Sequence, residues 1–577
     1  MKKVTLSDNA LTVAKNRYFM DGEDWEACSN RVANTISMPE SSNRTKIRDQ
    51  FAEMIYNMDF LPGGRILRNC GRPRGSLFNC YHLPIGDSIE EIGQFIKDSL
   101  ILWSEGGGVG CNFTPLRPRG DIILGKGGNS SGLVSFIQAA DSVAKTIESG
   151  GARRAAAIAH VDVSHPEVID FIDAKLVDGR ISSFNISVAV NEDFLLAVES
   201  DADWTFKFKQ KKYNTVKARA IWNKIVKNMV ECAEPGLLNW SNFSKNNSYY
   251  FEPVLGTNPC GETTLGPYGV CDLGSLVLPN FITGNVNTNW KKLEQTIRYA
   301  VRFLDDVIDS NKYTLKEIDI NAHKSRRIGV GVIGLAEYLF AKKVRYGSDK
   351  AVAETEKLMR FIRDVCYQAS LELAIEKGAF PMFDPIAYGK ASFVRKLPAS
   401  LRMDIKKHGI RNCTSMALAP TGTISLIADY SSAIEPLFAK AMRRSDRVGE
   451  RIYVHPKYQE MILNGEETPE WFVDSFDLEP SDHFEMQVAC QKYCDASVSK
   501  TINLPAETTD SELSDLLLEY IHDLKGCTVY RDGSRSGQIL NRISEEEVRK
   551  HLLTDTSGIE VNMEESDVKC ATGACEL

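Results

Sequence analysis

Apolar positions in the first sixty residues recur at helical spacing. Trp25, Val32 and Ile36, then Phe51, Met54 and Ile55, fall on one face at steps of three, four and seven, which predicts amphipathic helices. A Pro/Gly/Arg-rich stretch, Leu61-Pro62-Gly63-Gly64 to Pro73-Arg74-Gly75, breaks the pattern and sets a first unit at 1–75. From 76 to 540 helical segments alternate with short apolar runs. Helices are predicted over Ser88–Trp103, Gly132–Glu148, Pro166–Leu176, Trp290–Ser310 and Val352–Lys377, and strands over Ser187–Val190, Ile328–Val332, Ala417–Leu418 and Thr528–Tyr530. Such alternation predicts an α/β architecture with much parallel pairing, and leaves open whether the sheet is open or closed. From Glu545 the chain becomes charged and then loses periodicity, so 541–577 reads as a weakly packed tail.

The chain has 577 residues, 43% hydrophobic and 25% charged, as expected of a globular protein with a large core. A net charge of −8 argues against a broad nucleic-acid-binding face, so ligand phosphates must be held locally. No apolar run is long enough to span a membrane, and the start lacks a secretory core. Fourteen cysteines, too sparse for a disulfide scaffold, fit a reducing cytoplasm. Cys28, Cys111, Cys232, Cys366, Cys413, Cys490 and Cys494 read as small apolar fillers, and no metal site is expected because neither a CxxC pair nor an H-E-x-x-H pair occurs. Gly329-Val330-Gly331-Val332-Ile333-Gly334 matches a dinucleotide fingerprint but follows the polar Asn321–Arg327 rather than an apolar strand, and close backbone packing explains it better.

Gly256-Thr257-Asn258-Pro259-Cys260-Gly261-Glu262 concentrates chemistry. In an extended loop alternate residues face one way, so Asn258, Cys260 and Glu262 would meet one ligand together. An ordinary turn with an incidental cysteine is the plain alternative.

Asn-x-Cys-x-Glu resembles the finger loop of ribonucleotide reductases, and further motifs follow in that family's order. Cys271 comes eleven residues after Cys260, in Val270-Cys271-Asp272-Leu273-Gly274. Phe78-Asn79-Cys80-Tyr81-His82 resembles the segment with the other redox cysteine, and Gly108 the residue lying against substrate. Pro420-Thr421-Gly422-Thr423-Ile424 resembles the substrate-phosphate loop, although N-capping by Thr423 would look similar. Cys570 and Cys575 resemble a thiol shuttle at the tail. The resemblance implies a ten-stranded α/β barrel of two antiparallel five-stranded halves, with Cys260 on a central loop. It also implies a thiyl radical on Cys260, proton transfer at Glu262, substrate orientation by Asn258, and reduction by Cys80 and Cys271.

Asp87 in Gly86-Asp87-Ser88 aligns with an effector contact of the family, or with a helix N-cap. Arg117 and the run Gly151-Ala152-Arg153-Arg154 resemble the specificity loops that bind a (deoxy)nucleoside triphosphate effector. Arg531 follows Tyr530 where one branch has a tyrosine pair that receives a radical from a ferritin-like partner. That difference, with Asp495-Ala496-Ser497-Val498-Ser499 and a short N-terminus without room for an activity-regulating cone, resembles the adenosylcobalamin-dependent branch. A ribonucleotide substrate, a thioredoxin or glutaredoxin-type reductant and a homodimer are implied, the last because 180 residues between Cys80 and Cys260 leave little room for the insertion of monomeric forms. A class I-like subunit needing a radical-generating partner is the alternative. A thiol–disulfide oxidoreductase would leave Asn258 and Glu262 without a task.

Overall fold

Helices Asp8–Arg17, Trp25–Ile36 and Arg44–Tyr56 open the chain. The second is capped by Asp24, whose carboxylate accepts from Ala27 N, and buries Trp25, Cys28, Val32 and Ile36 on one face. This is a computed structural model, and it describes residues 4–554 except 124–126, 150–152, 178, 285, 447–448 and 535–539. Cys570 and Cys575 therefore lie outside the described residues, as do residues 150–152 before Arg153 and Arg154.

Ten strands form one sheet: β1 (Phe60–Pro62), β2 (Cys80–His82), β3 (Gly108–Asn112), β4 (Ala156–Asp162), β5 (Phe184–Val190), β6 (Gly236–Asn239), β7 (Val270–Val277), β8 (Ile328–Ile333), β9 (Thr501–Leu504) and β10 (Gly526–Arg531). Neighbours from β2 through β6 all pair parallel. So do β7 with β8 and β9 with β10. The two sets meet antiparallel at β2–β7 and at β6–β10, while β1 lies antiparallel on the same edge of β7 as β2.

Residues 415–418 span the gap between β8 and β9. Met416 bridges Val330 and Leu418 bridges Val498, both parallel. Val330 N donates to Ser415 O, Ala417 N to Val330 O, and Leu418 N to Ser497 O. The sheet thus curls back on itself as two five-membered parallel halves running antiparallel to each other. The expected strand at Ala417–Leu418 exists only as these bridges, yet it is the piece that joins the two ends.

Helices cover the outside. Trp290–Ser310 presents Leu293, Ile297, Ala300, Val301, Leu304 and Ile308 to the core, a stripe at three- and four-residue steps. Phe303 from this helix meets Phe51 edge-on at 5.1 Å and Phe60 at 5.7 Å, tying the N-terminal helices to the sheet. The remaining predicted helices shift at their ends. Ser88 caps Ile89–Ser104 rather than starting it, and Ser348 starts a longer Asp349–Lys377. Leu133–Ala144 stops before Glu148–Ser149, which pairs as a short strand with Arg153–Arg154. The expected helix at Pro166–Leu176 is reduced to Val168–Ile172 and a 3-10 turn at Asp173–Lys175.

Gly329 and Gly331 lie within β8, not in a strand-to-helix turn. A Cβ on Gly329 would sit 2.8 Å from Ala417 Cβ, and one on Gly331 2.9 Å from Ala417 O, so these glycines let 415–418 approach. The charged tail also begins more ordered than its composition implies. Leu540–Arg542 pairs with Ala441–Asp446, and helix Glu545–Thr554 buries Val548. No helix among the described residues is long and apolar enough to cross a membrane.

Candidate active site

Strands Gly256–Thr257 and Thr264–Leu265 form a hairpin whose tip carries Asn258, Cys260 and Glu262. Its base packs on β3 so closely that a Cβ on Gly110 would sit 1.7 Å from Thr257 O. Thr257 Oγ1 hydrogen-bonds His160 Nε2 on β4 at 3.0 Å. Across the sheet, Ser497 N donates to Glu262 O at 2.8 Å. Contacts to both halves place the hairpin inside the ring of strands.

The tip is a tight turn, as its Pro and Gly suggest. Gly261 N donates to Asn258 O, and Gly261 takes φ +79°, a conformation glycine reaches without strain. The turn still brings the expected side chains together. Asn258 Nδ2 donates to Glu262 Oε2 at 2.7 Å and to Cys80 Sγ at 3.2 Å. Thr263 N and Oγ1 both donate to Asn258 Oδ1, fixing the amide. Cys80 Sγ donates to Glu262 Oε1 at 3.5 Å.

Cys80 and Cys271 are direct partners in the antiparallel β2–β7 pairing. Such partners lie about 4.5–5.5 Å apart at Cα, inside the about 4.4–6.8 Å span of a disulfide. Both are free thiols. Leu273, Ala417, Ala419 and Ala496 pack around them, with the partly buried Cys260 against the same cluster. Cys260 also lies in the wall of a narrow cleft of about 70 Å³, along with Ser187, Ser499, Cys527 and Thr528.

Burial sets the proton affinities. It pushes the Glu262 carboxyl up to about 7, against the lowering hydrogen bonds from Asn258 and Cys80. The Cys80 thiol is pushed well up, by burial first and by the Glu262 carboxyl second. Burial likewise lifts Cys271.

The other candidates surround this centre. Gly108 pairs with Cys80, and a Cβ on it would meet Pro259 of the hairpin tip at 2.8 Å. Asn79 O accepts from Gly108 N, and its buried side-chain Oδ1 has no donor partner among the described residues. Pro420 follows Ala419, so the loop 420–424 starts at the edge of the cysteine cluster. Thr423 does not cap the short helix Ile424–Ala428; its hydroxyl meets Tyr18 OH at 2.5 Å. Thr421, at φ +52°, accepts from Ala433 N, and the Cα of Gly422 faces open space.

Asp87 and Arg117 form a second group. Arg117 Nε lies 3.1 Å from both Asp87 carboxylate oxygens, and Arg117 N donates to Oδ1 at 2.9 Å. Ser88, not Asp87, caps the following helix, so N-capping does not occupy Asp87. Tyr530 is buried on β10. Arg531 bonds the carbonyls of Val230 and Ala506 at 2.9 and 2.7 Å, an anchoring pattern. Of the cysteines read as fillers, all are buried except the half-buried Cys232. Asp305, Asp306 and Asp309 cluster, but Arg326, Arg411 and Lys377 already pair with them.

Sequence reasoning missed His160 and Ser497, which hold the hairpin from β4 and from the segment before β9, far away in the chain. Nothing local to either residue signals that contact. His82, two residues after Cys80 and so on its face of β2, does carry a signal; its ring stacks on His160 at 6.5 Å.

Comparison with known proteins agrees with this geometry. The family model for the ribonucleotide reductase barrel domain matches residues 78–530, and that for the all-alpha domain matches 4–75. The chain is 34% identical to a vitamin B12-dependent ribonucleoside-diphosphate reductase of Thermoplasma acidophilum, covering 92% of this chain and 72% of that protein. It is 34% identical to the protein of the same name from Mycobacterium tuberculosis H37Rv, covering 100% of this chain and 83% of that one. A ribonucleoside-diphosphate reductase subunit alpha of Chlamydia trachomatis is 26% identical over 91% of this chain and 57% of its own length. The chain belongs to the ribonucleotide reductase family of oxidoreductases.

Proposed function

We propose that this chain reduces ribonucleotides to 2′-deoxyribonucleotides through a thiyl radical on Cys260. The bonded set Cys80–Glu262–Asn258 beside Cys271 and Cys260 carries the reading. The Cys260 thiyl takes the 3′-hydrogen, S–H and activated C–H bonds being similar in strength. Glu262 accepts the 3′-hydroxyl proton, and Asn258 holds the sugar. The 2′-hydroxyl leaves as water with a proton from the redox pair. Cys80 and Cys271 supply two electrons and the hydrogen that C2′ gains, ending as a disulfide; Glu262 gives its proton back to the 3′-oxygen, and Cys260 returns its hydrogen to C3′, restoring the thiyl. Asn79, Gly108 and the loop Pro420–Ile424 contact substrate. The names of the similar proteins favour a nucleoside diphosphate.

Adenosylcobalamin, the cofactor implied by the names of the relatives from Thermoplasma and Mycobacterium, supplies when bound a carbon radical able to take a thiol hydrogen. The chain's residues fit it in two respects. Cys260 is only partly buried and stands in a cleft wall, and Arg531, fixed on two carbonyls, breaks any tyrosine relay through Tyr530. The Asp87–Arg117 pair, Ser88, Arg153 and Arg154 serve a nucleoside triphosphate effector at a homodimer interface. Cys570 and Cys575 re-reduce the active-site disulfide with electrons from a thioredoxin or glutaredoxin-type protein, in the cytoplasm. The units are 1–75, 76–540 and 541–577, the first boundary supported by the two family matches.

Purified protein supplied with a ribonucleoside diphosphate and dithiothreitol should form deoxynucleotide only when adenosylcobalamin is added. Activity that instead requires a ferritin-like partner, with no cobalamin, would contradict the cofactor assignment.

A further inference from the structure

The loop Pro420–Ile424 is held from two sides. Its own segment holds Thr421: the hydroxyl accepts from Ala433 N at 2.9 Å, and Ser425 N donates to Thr421 O. These bonds keep Thr421 at φ +52°, a backbone region that a residue with a side chain occupies only where its surroundings impose it. The other threonine is held by the N-terminal helices. Thr423 Oγ1 meets Tyr18 OH at 2.5 Å, and both side chains are buried. Between the two threonines, Gly422 faces open space.

Tyr18 is in turn fixed. It closes helix Asp8–Arg17, its N–H donating to Ala14 O. The carbonyls of Arg17, Tyr18 and Phe19 lie at that helix end, where cations are favoured, and each accepts from a different arginine. Arg68 Nη1 reaches Arg17 O at 3.4 Å, Arg31 Nη2 reaches Tyr18 O at 3.3 Å, and Arg72 Nη2 reaches Phe19 O at 3.2 Å. Arg31 is itself braced by Glu23 at 2.7 Å. The phenol then passes over Gly64, where a Cβ would sit 3.1 Å from its oxygen. A larger residue there would press the hydroxyl away from Thr423.

Helix Asp8–Arg17 packs along Ile424–Ala428 and meets it at both ends. Ser7, the N-cap of the first helix, donates from Oγ to Asp429 Oδ1 at 3.0 Å, and Asp429 ends the second. Tyr18 ends the first and Thr423 begins the second, so the two run antiparallel. The buried residues of the first helix are Ala10 and Ala14, one turn apart on one face, small enough to let another helix approach closely. Helix Ile424–Ala428 has five residues, far fewer than the about 12–15 at which an isolated helix becomes stable in water. Its place, and the shape of the loop before it, therefore depend on what packs against it. Of the two end contacts, Ser7–Asp429 is exposed and competes with water, whereas Tyr18–Thr423 is buried and carries more of the hold.

Resting on the phosphate-loop reading above, we propose that Tyr18 is a positioning residue for the substrate's phosphates: helix Asp8–Arg17 splints the loop Pro420–Ile424 through the Tyr18–Thr423 bond, so phosphate recognition by the barrel depends on a side chain of the N-terminal helices. The sugar is met elsewhere, by Asn258 and Glu262 in the proposed site, and its binding does not pass through Tyr18.

Titration of the full chain with cytidine diphosphate and with cytidine, without turnover, tests this. Tyr18→Phe keeps the ring and removes the hydroxyl. It should weaken cytidine diphosphate binding roughly three- to tenfold, the worth of one buried hydrogen bond, and leave cytidine binding as it was. Thr423→Val should weaken the diphosphate as well. The double variant should lose no more than Thr423→Val alone, because the two hydroxyls act as one unit. Additive losses, or unchanged diphosphate binding in Tyr18→Phe, overturn the proposal. Equal weakening of cytidine and its diphosphate does so too, since a general loss of structure would then explain both. If Tyr18→Phe does not fold, Gly64→Ala, which crowds the phenol without removing it, is read in the same way. Cytidine diphosphate bound no tighter than cytidine by the unaltered chain would overturn the phosphate-loop reading itself, and this proposal with it. Loss of the diphosphate preference in Thr423→Val but not in Tyr18→Phe would leave that reading standing and remove Tyr18 alone.

Discussion

Glu262 changes charge close to neutral pH, because burial raises its carboxyl to about 7. Only the carboxylate can accept the 3′-hydroxyl proton, so the active fraction falls as pH drops below that value. The expected profile of kcat/KM rises with a slope of one up to about pH 7 and then levels. Asn258 lowers the same pKa by donating to the carboxylate. Asn258→Leu should therefore shift the acid limb to higher pH as well as slowing turnover. Glu262→Gln should abolish the limb and reduce the rate by about 10²–10⁴. A profile for Glu262→Gln that keeps the same limb would assign it to another group.

At the scale of elements, the hairpin is set by contacts that no single segment contains. Gly110 leaves room for Thr257 O, His160 holds the Thr257 hydroxyl, and Ser497 holds Glu262 O from the opposite half. Gly110→Ala would put a methyl group 1.7 Å from Thr257 O and force the tip to move. Misplacing a reacting group by about 1 Å costs on the order of 100-fold, so kcat should fall by that much while the effector binding proposed at Asp87 persists. Equilibrium binding and steady-state rates measured on the one variant check both halves, and undiminished kcat would show that this contact does not set the tip. Asn258, Cys260 and Glu262 were legible in the sequence because a short motif holds all three. Cys80 and Cys271 were legible only through resemblance, since their pairing depends on strand register between segments far apart. The strand ends were readable to a few residues, but the role of 415–418 was not, because two bridges rather than a strand join β8 to β9.

For the whole molecule, the ring of strands shelters the proposed radical site, and a disulfide formed there between Cys80 and Cys271 would be closed to a protein reductant. The proposed shuttle by Cys570 and Cys575 follows from that geometry. Replacing both with serine should slow thioredoxin-driven turnover while leaving much of the turnover driven by dithiothreitol, which is small enough to enter. Equal loss with both reductants would give the tail a structural task instead. The same view of the molecule bears on Tyr530, which is buried beside the anchored Arg531. Tyr530→Phe should keep substantial cobalamin-dependent activity, and complete loss with cofactor binding intact would restore a relay through that ring.

Hydrogen transfer at Cys260 underlies every part of this account, and a 3′-deuterated ribonucleotide measures it most directly. With adenosylcobalamin and reductant, the protein should turn over with a normal kinetic isotope effect and return deuterium to C3′ of the product, while Cys260→Ser, binding nucleotide as before, forms no deoxynucleotide. Deoxynucleotide formation by Cys260→Ser, or turnover indifferent to deuterium at C3′ in a step shown to limit the rate, would contradict it.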